Sequence, residues 1–247
     1  MAIYDQPVRV LLRQMIAELA PGKGKVFTRE QATSWFADHY PKIQKATVAA
    51  HLLRFSTNAR SRIHYNPRPD EDLLFQIDSG HFRLYDPATD PAPIHSSSDV
   101  ATQPSQADEE LGLAPSASEF AYESDLRDFL AKDLSIIESG LRLYEEEGIT
   151  GVEFPVGGRF ADILGVDGQD RLVVIELKVS RGYDRVIGQL LRYMAWIDEH
   201  QAEEDQGVRG MIIAREISED LRLACSSIPN VELYEYELAV TLRSVAV

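Results

Sequence analysis

Three ionisable side chains interrupt apolar segments in the second half of the chain. Asp162 lies within Phe-Ala-Asp-Ile-Leu, and Glu176 and Lys178 lie within Val-Ile-Glu-Leu-Lys-Val. Side chains two apart on a strand point to the same face, so Glu176 and Lys178 share one. A hairpin that turns near Asp167-Gly168 can place Asp162 beside them. Because an unpaired buried charge is costly, we expect the three groups to lie together.

Two carboxylates and one ammonium placed together on a sheet in this way are suited to catalysing the hydrolysis of phosphodiesters. Mg²⁺ prefers a few carboxylate oxygens and leaves its other positions to water and phosphate. Such an ion polarises a phosphoryl oxygen and lowers the pKa of an attacking water. A lysine beside it can orient that water and offset the charge that grows on phosphorus. The alternative for the same residues is a buried Asp–Lys–Glu ion-pair network that holds no metal.

The surrounding elements predict a three-layer α/β domain, in which helices are interleaved with a central sheet. The segment around Glu176 is nearly continuous apolar sequence, as in a central strand that is buried on both faces. The helix that follows it should bury one stripe, made of Ile187, Leu190, Leu191, Met194 and Ile197. The predicted strands are 151–156, 159–166, 171–179, 210–214 and one or two within 231–245, and the predicted helices are 123–134, 184–200 and 218–225.

The spacing Asp162, thirteen residues, Glu176-Leu177-Lys178 resembles the PD-(D/E)xK nuclease signature, without the proline that usually precedes the aspartate. Longer runs extend the likeness, among them ESDLRDFL, EFPVGGRFADILGVD and LVVIELKVSRGYDRVIGQLLRYMAWI. Together they are similar to the C-terminal nuclease domain of the NucS/EndoMS endonucleases over about residues 119–247. The resemblance implies a restriction-endonuclease-like α/β fold, with a mixed central sheet flanked by helices.

The same resemblance implies roles for particular residues. Asp162 and Glu176 would bind Mg²⁺ or Mn²⁺ together with the backbone carbonyl of Leu177. Glu123 would also belong to the metal site and help hold a water there, and Lys178 would be catalytic. No small-molecule cofactor is expected.

Gln189 would complete this site by resemblance, and its spacing gives it separate support. Gln189, Tyr193 and Trp196 lie at i, i+4 and i+7, outside the predicted buried stripe. Such a line could contact a phosphate backbone, and the alternative is that both aromatic rings are half-buried packing residues. The acidic second half needs local positive charge to approach DNA. The expected phosphate contacts there are Arg181, Arg185 and Arg192, with Tyr193 beside them.

Charge is distributed unevenly along the chain. The formal net charge is −15, yet residues 1–69 hold eleven Lys and Arg against four Asp and Glu, a net of +7. Three predicted helices, the third at 45–55, precede a predicted hairpin around Asp78-Ser79-Gly80, and this order resembles a winged helix-turn-helix domain. We expect it to bind duplex DNA, and the alternative is a protein-interaction module. The candidate DNA contacts are Lys42, Lys45, Thr47, His51, Arg54, Asn58, Arg60 and Arg62.

Composition suggests where the chain divides. Residues 88–117 are rich in Pro, Ser and Asp with few large apolar residues, which predicts a flexible linker. The expected domains are therefore a winged-helix-like domain at 1–87 and a PD-(D/E)xK nuclease domain at 118–247. One cysteine, no secretory signal and no apolar run near ~18–20 residues predict a cytoplasmic protein without a membrane partner.

These features favour a divalent-metal-dependent DNA endonuclease, expected to be a homodimer, whose N-terminal domain targets duplex DNA. The NucS enzymes carry a β-rich N-terminal domain that is replaced here, so a restriction or defence role, with recognition of modified bases left open, is the first expectation. A mismatch or branched-DNA repair endonuclease is the alternative. A DNA-binding regulator without catalysis is the second alternative, although an idle site need not keep all three ionic residue types.

Overall fold

The computed structural model describes residues 4–96, 99, 117–182, 185–203 and 205–237. The N-terminal part contains three helices and a small antiparallel sheet with strand order β1-β3-β2. Two 3₁₀ helices, Arg60–Tyr65 and Pro69–Glu71, lie between α3 and β2. The elements are α1 (Val8–Leu19), β1 (Val26–Thr28), α2 (Arg29–His39), α3 (Lys45–Phe55), β2 (Leu74–Gln76) and β3 (His81–Leu84).

Local chemistry explains these elements. Helix α2 begins at a capping box, in which the Thr28 side chain accepts from the Gln31 amide and Gln31 accepts from the Thr28 amide. The β2–β3 turn is closed by Asp78, whose carboxylate accepts the amides of Gly80 and His81. The predicted α1, α3 and hairpin are confirmed.

The C-terminal part is a mixed sheet between two helical layers. A 3₁₀ turn at Leu134–Ile136 precedes its first strand. The helices are α4 (Ala117–Leu130), α5 (Arg185–His200) and α6 (Glu219–Cys225). The strands are β4 (Arg142–Leu143), β5 (Glu145–Glu146), β6 (Ile149–Thr150), β7 (Val152–Val156), β8 (Arg159–Val166), β9 (Leu172–Gly182), β10 (Val208–Ile217) and β11 (Val231–Glu235).

The sheet has the order β11-β10-β9-β8-β4, with β7 also paired to β8. Strands β9, β10 and β11 are parallel, whereas β8 is antiparallel to β9, β7 and β4. Helix α4 packs one face through Leu126 and Leu130, and α5 packs the other through Leu190 and Ile197. The expected mixed sheet with flanking helices is confirmed, although α4 ends at Leu130 rather than at residue 134.

The two parts of the chain share one hydrophobic core. Ala46, Ala50 and Leu53 of α3 belong to the same buried cluster as residues of β7, β8 and α5. Ten of the eleven residues of α3 are buried. Helix α3 therefore docks the N-terminal part onto the sheet, and it is not displayed on a free surface.

The first residues of the predicted linker are part of the N-terminal fold. Ile94 is buried, and its amide donates to the carbonyl of Thr57 at 2.8 Å. Asp90 accepts two hydrogen bonds from Arg83, at 2.5 and 2.7 Å. Residues 88–96 thus pack on the N-terminal part, and α4 already begins at Ala117. The prediction for 97–98 and 100–116 lies outside the described residues. In the described part of the chain, no helix has both the length and the apolar character needed to cross a membrane.

The β5–β6 hairpin contacts α3 from the nuclease-like side. Glu147 and Gly148 form its two-residue turn with φ of +50° and +80°. The Gly148 carbonyl accepts from Arg54 Nη1 at 2.8 Å, and Glu146 accepts from Thr47 at 2.7 Å. The hairpin thus anchors the two parts to each other by polar contacts beside the shared core.

Gly148→Ala is expected to weaken this anchor. A Cβ there would lie 2.6 Å from Arg54 Nη1, and the positive φ is unfavourable for alanine. We expect a loss of about 1–2 kcal/mol in the free energy of unfolding, measured by urea denaturation. Gly22→Ala is the control, because a Cβ at Gly22 meets no atom within 4 Å. Equal effects of the two substitutions would contradict the anchor.

A buried ion-pair cluster ties β8 to β10. Arg209 donates to Asp167 at 2.8 Å, to Glu138 at 2.7 Å and to Glu232 at 2.9 Å. Burial alone would raise the pKa of Asp167, but hydrogen bonds from the Arg171 and Gln169 amides and from Arg209 lower it to about 2. The cluster satisfies a fully buried arginine, and Asp167 stays ionised at neutral pH.

Acid should therefore destabilise the protein partly through Asp167. Its folded pKa lies below the ordinary aspartate value near 3.9, so its stabilisation is complete above pH ~4 and is lost as pH falls towards 2. The difference corresponds to about 2 kcal/mol. We expect Asp167→Asn to lower unfolding free energy at pH 7 and to flatten the dependence below pH 4. Asp170→Asn, at an exposed carboxylate, should do neither.

Candidate active site

Asp162 lies where β8 and β9 separate. Their regular pairing runs from Val166↔Leu172 to Ile163↔Ile175, and Asp162 is the next residue. Its Oδ2 atom accepts a hydrogen bond of 2.7 Å from the Leu177 amide. Where the regular pairing ends, the Asp162 carboxylate thus accepts the β9 amide in place of a backbone carbonyl, and it lies beside Glu176. The turn at residues 167–168 predicts this position.

Lys178 joins two carboxylates from different elements. Its ammonium donates to Glu176 Oε1 at 2.9 Å and to Glu123 Oε1 at 3.0 Å. Glu176 and Lys178 lie two apart on β9 and share a face, whereas Glu123 comes from α4. Glu176 is buried and Lys178 is partly exposed. The site therefore opens to solvent on the side of the lysine.

Gln189 reaches the same group from the opposite helical layer. Its Nε2 atom donates to Glu176 Oε1 at 2.7 Å and to the Tyr193 hydroxyl at 3.2 Å. Tyr193 is buried, in agreement with the packing alternative, and Trp196 is half-buried. Gln189 thus orients Glu176, and Tyr193 supports Gln189.

The site concentrates negative charge away from water. Burial, with the nearby Asp162 charge, raises the pKa of Glu176 to about 8 despite the ammonium of Lys178. Burial also raises the pKa values of Asp162 and Glu123. For Lys178, burial would lower the pKa, but the three carboxylates raise it. The ammonium of Lys178 thus stays protonated beside the carboxyl groups of Asp162, Glu176 and Glu123. Burial disfavours the ionised form of all three carboxyl groups.

Glu176 makes the stability of the metal-free protein depend on pH. Its folded pKa of about 8 lies above the ordinary glutamate value near 4.3, so its stabilisation is complete below pH ~4 and is lost as pH rises through 8. In urea unfolding with EDTA present, we expect wild type to lose stability relative to Glu176→Gln between about pH 4 and about pH 8, with no further relative loss above that range. Glu219→Gln, at an exposed carboxylate, should track wild type. Parallel curves for wild type and Glu176→Gln would contradict this assignment.

The donor set fits a hard divalent cation. Glu176 Oε2 is buried and has no hydrogen-bond partner among the described residues. Among the described residues, no group of three or more Asp, Glu, His or Cys side chains is arranged to hold a metal ion by itself. The ammonium of Lys178 lies between the carboxylates of Glu176 and Glu123. Mg²⁺ and Mn²⁺ do not require three such protein ligands, because water and phosphate can complete their coordination. A free buried carboxylate oxygen beside Asp162 matches that requirement.

Four candidate DNA contacts of the N-terminal part are corrected by the structure. Thr47, His51, Arg54 and Arg62 are buried, so duplex DNA cannot reach them. Thr47 donates to Glu146, as described above, and burial lowers the pKa of His51 to about 3, which keeps it neutral.

The two arginines in that set are used in buried ion pairs. Arg54 pairs with Glu71 at 3.0 Å, and Arg62 pairs with Asp72 at 2.7 Å. A guanidinium held this way has no donors aimed at a phosphate. The basic residues of this segment therefore stabilise the N-terminal part and its docking.

The other candidate contacts differ in accessibility. Asn58 is half-buried and clamps the backbone of Gln76 by two hydrogen bonds, at 2.8 and 2.9 Å, which is a structural role. The side chains of Arg181 and Arg185 lie outside the described residues. The candidates that are exposed or half-exposed are Lys42, Lys45, Arg60 and Arg192.

Two residues near the site escaped the sequence reasoning. Arg127 follows Glu123 by one helical turn on α4, and Glu153 lies on β7. Arg127 Nη1 donates to Glu153 Oε1 at 2.5 Å. The i,i+4 spacing from Glu123 was the available signal for Arg127. Glu153 carried none, because its placement depends on the pairing of β7 with β8.

Two family descriptions match the chain. Residues 122–233 match the endonuclease NucS C-terminal domain, and residues 7–84 match a domain of unknown function, DUF7669. Endonuclease NucS from Methanopyrus kandleri is 34% identical over 103 residues, which are 42% of this chain and 36% of that protein. Endonuclease NucS from Pyrococcus furiosus is 30% identical over 112 residues, 45% of this chain and 36% of that protein. The chain thus matches about a third of the length of these relatives.

Solved structures give a weaker likeness. A repair endonuclease from Pyrococcus abyssi has a TM-score of 0.39 and 23% identity, over 51% of this chain and 48% of that one. An EndoMS–double-stranded DNA complex has a TM-score of 0.39 and 22% identity, over 66% and 52% of the two chains. The sequence matches, together with the mixed sheet and the Asp162, Glu176 and Lys178 cluster, identify residues 122–233 as a NucS-type endonuclease C-terminal domain, joined here to a DUF7669 domain.

Proposed function

We propose that this protein is a divalent-metal-dependent DNA endonuclease that hydrolyses phosphodiester bonds. The observation that carries the proposal is the convergence of Asp162, Glu176 and Lys178 with Glu123 and Gln189 from opposite layers of the sheet. The free buried oxygen of Glu176 supports a cation at this point. In a purely structural ion-pair network, a buried carboxylate oxygen ordinarily has a hydrogen-bond partner.

The residues divide the work of hydrolysis. Asp162, Glu176 and the Leu177 carbonyl would hold Mg²⁺ or Mn²⁺, which when bound neutralises charge on the scissile phosphate. Lys178, protonated and partly exposed, would contact that phosphate and orient the attacking water. Glu123 would hold the water and accept its proton. The water oxygen bonds to phosphorus, the bond to the leaving sugar oxygen breaks, and solvent supplies the proton to the leaving oxygen.

The docked arrangement favours a repair-type substrate over a restriction substrate. The expectation of a restriction role depended on a DNA-reading helix joined to the nuclease domain by a flexible linker. Helix α3 is instead buried against the sheet. The matched relatives are NucS endonucleases, the group whose resemblance suggested mismatched or branched duplex DNA. We therefore infer that an irregular duplex is the substrate, and that recognition of modified bases is not required.

The N-terminal domain would extend the DNA-binding surface. Its element order, with a three-stranded sheet β1-β3-β2 after the helices, supports the winged-helix assignment. With α3 docked, DNA would be contacted by residues outside its buried face. The accessible candidates are Lys42, Lys45 and Arg60 of this domain, together with Arg192 on α5. Because one site hydrolyses one bond at a time, a homodimer would supply a second site for the other strand.

A panel of labelled duplexes tests this proposal. Plain, methylated, mismatched and branched DNA are incubated with the full-length protein in Mg²⁺, Mn²⁺ or EDTA. We expect metal-dependent cleavage that is fastest on mismatched or branched DNA. Faster cleavage of methylated than of irregular duplexes would restore the defence role. DNA binding without cleavage in either metal would favour the non-catalytic regulator instead.

A further inference from the structure

Arg127 lies next to the proposed metal site without belonging to it. Its side chain is nearly buried on α4, and its guanidinium bonds Glu153 at 2.5 Å and Asp128 at 3.0 Å. Arg127 therefore joins Glu153 on β7 to helix α4, which also carries Glu123 of the proposed site.

Glu153 has a strained backbone at the register position opposite Asp162. The pairs Val152↔Ile163 and Phe154↔Ala161 flank it, and its φ is +45°. A non-glycine residue in this conformation is strained and persists only where its surroundings enforce it. Like charges opposite each other on a sheet also repel. The position therefore requires both a nearby cation and outside support.

The N-terminal domain supplies that support. The Tyr65 hydroxyl donates to the Glu153 carbonyl at 3.4 Å, and His64 Nε2 lies 3.5 Å from Glu153 Oε2. Thr150, just before β7, donates to the His64 carbonyl at 3.2 Å. The 3₁₀ helix Arg60–Tyr65 thus contacts the strained residue at both its backbone and its carboxylate.

We propose that Arg127 is a positioning residue for the nuclease site, and that the N-terminal domain holds it in place through Glu153. Arg127 holds Glu153, and with it the part of β7 that lies opposite Asp162, whose carboxylate must point at the cation for hydrolysis. Docking of the N-terminal domain is then coupled to cleavage through the contacts His64–Glu153 and Glu153–Arg127 and through the pairing of β7 with β8. This inference rests on the proposed nuclease function and adds to it a residue and a route of control.

R127Q and R127K test the positioning role, with R142Q as the control at an exposed arginine. Single-turnover cleavage at saturating DNA and DNA affinity are measured separately. Because outer groups that orient metal ligands typically affect activity 10–100-fold, we expect R127Q to slow cleavage by about that factor with DNA affinity within about threefold. R127K should recover part of the rate, since it keeps the charge. A wild-type rate for R127Q overturns the proposal.

The route through Glu153 is tested by double variants. If Glu153 and His64 act through Arg127, E153Q or H64A should slow cleavage alone but add little in the R127Q background. Losses that multiply in the double variants overturn the route. Should R127Q fail to fold, H64A decides, because a wild-type rate there also overturns it. D162N is measured alongside, because cleavage by D162N defeats the proposed function itself, whereas an inactive D162N with active R127Q defeats only this inference.

Discussion

Asp162→Asn and Glu176→Gln are expected to lower the cleavage rate by at least about a thousandfold, because each removes a charge from the cation site. Both amides keep the size of the side chain, so the sheet should remain intact. DNA affinity should change little, since contacts with the phosphate backbone come from lysines and arginines. The measurement is single-turnover cleavage of a mismatched duplex in Mg²⁺, with binding assayed in Ca²⁺ or EDTA.

The matched controls make the same chemical change elsewhere. For Asp170→Asn, the residue lies in the β8–β9 turn and its side chain is 80% exposed. For Glu219→Gln, the side chain is 84% exposed. Both should cleave at the wild-type rate. If Asp162→Asn or Glu176→Gln retained cleavage within tenfold of its control, the cation site would have to be placed elsewhere.

The cluster of Asp162, Glu176 and Lys178 could be predicted because local sequence determines it. The turn at Asp167-Gly168 fixes the pairing of β8 with β9, and that pairing brings Asp162 alongside Glu176. Period-two alternation then places Lys178 on the same face. Gln189 was assigned by the family resemblance, and its helical spacing on α5 gave separate support. The placement of Asp162, Glu176 and Lys178 needed only the residues of one hairpin.

The docking of α3 was not predicted from the sequence, because the basic residues were counted without the acidic residues that pair with them. The count of +7 stopped at residue 69, immediately before three acidic residues at 70–72. Those residues pair with arginines of the same domain, at distances of 2.7–3.0 Å. The pairs are Arg13–Asp70, Arg54–Glu71 and Arg62–Asp72. Arg54 and Arg62 are therefore internal to the fold, and the exposed Arg13 is offset by Asp70.

The composition of α3 held the missing signal. Its sequence Lys-Ala-Thr-Val-Ala-Ala-His-Leu-Leu-Arg-Phe is apolar or small on nearly every face. A helix of that kind is buried on all sides rather than lying half in solvent. One side packs in the N-terminal core through Val48 and Leu52, and the other packs on the sheet through Ala50 and Leu53. The second side of α3 packs against β7 and α5, which lie roughly a hundred residues or more away in the sequence. Local sequence patterns therefore do not identify these partners.

Ala50→Asp is expected to separate the two domains. Ala50 is fully buried in the core that α3 shares with β7 and α5, and an aspartate there would place a charge within an apolar cluster. We expect a loss of about 3 kcal/mol or more in the free energy of unfolding. Cleavage should fall with it, because an undocked N-terminal domain no longer holds Glu153. Urea unfolding, limited proteolysis between residues 97 and 116 and single-turnover cleavage measure these effects.

Ala37→Asp is the matched control, since Ala37 is an exposed residue on the neighbouring helix α2. It makes the same chemical change without entering a core, so its stability should stay within about 0.5 kcal/mol of wild type. A DNA-reading α3 on a free surface would give a different pattern, in which Ala50→Asp weakens DNA binding but leaves unfolding and proteolysis at the level of Ala37→Asp. That pattern would contradict the docked arrangement, and with it the coupling of the N-terminal domain to the cleavage site.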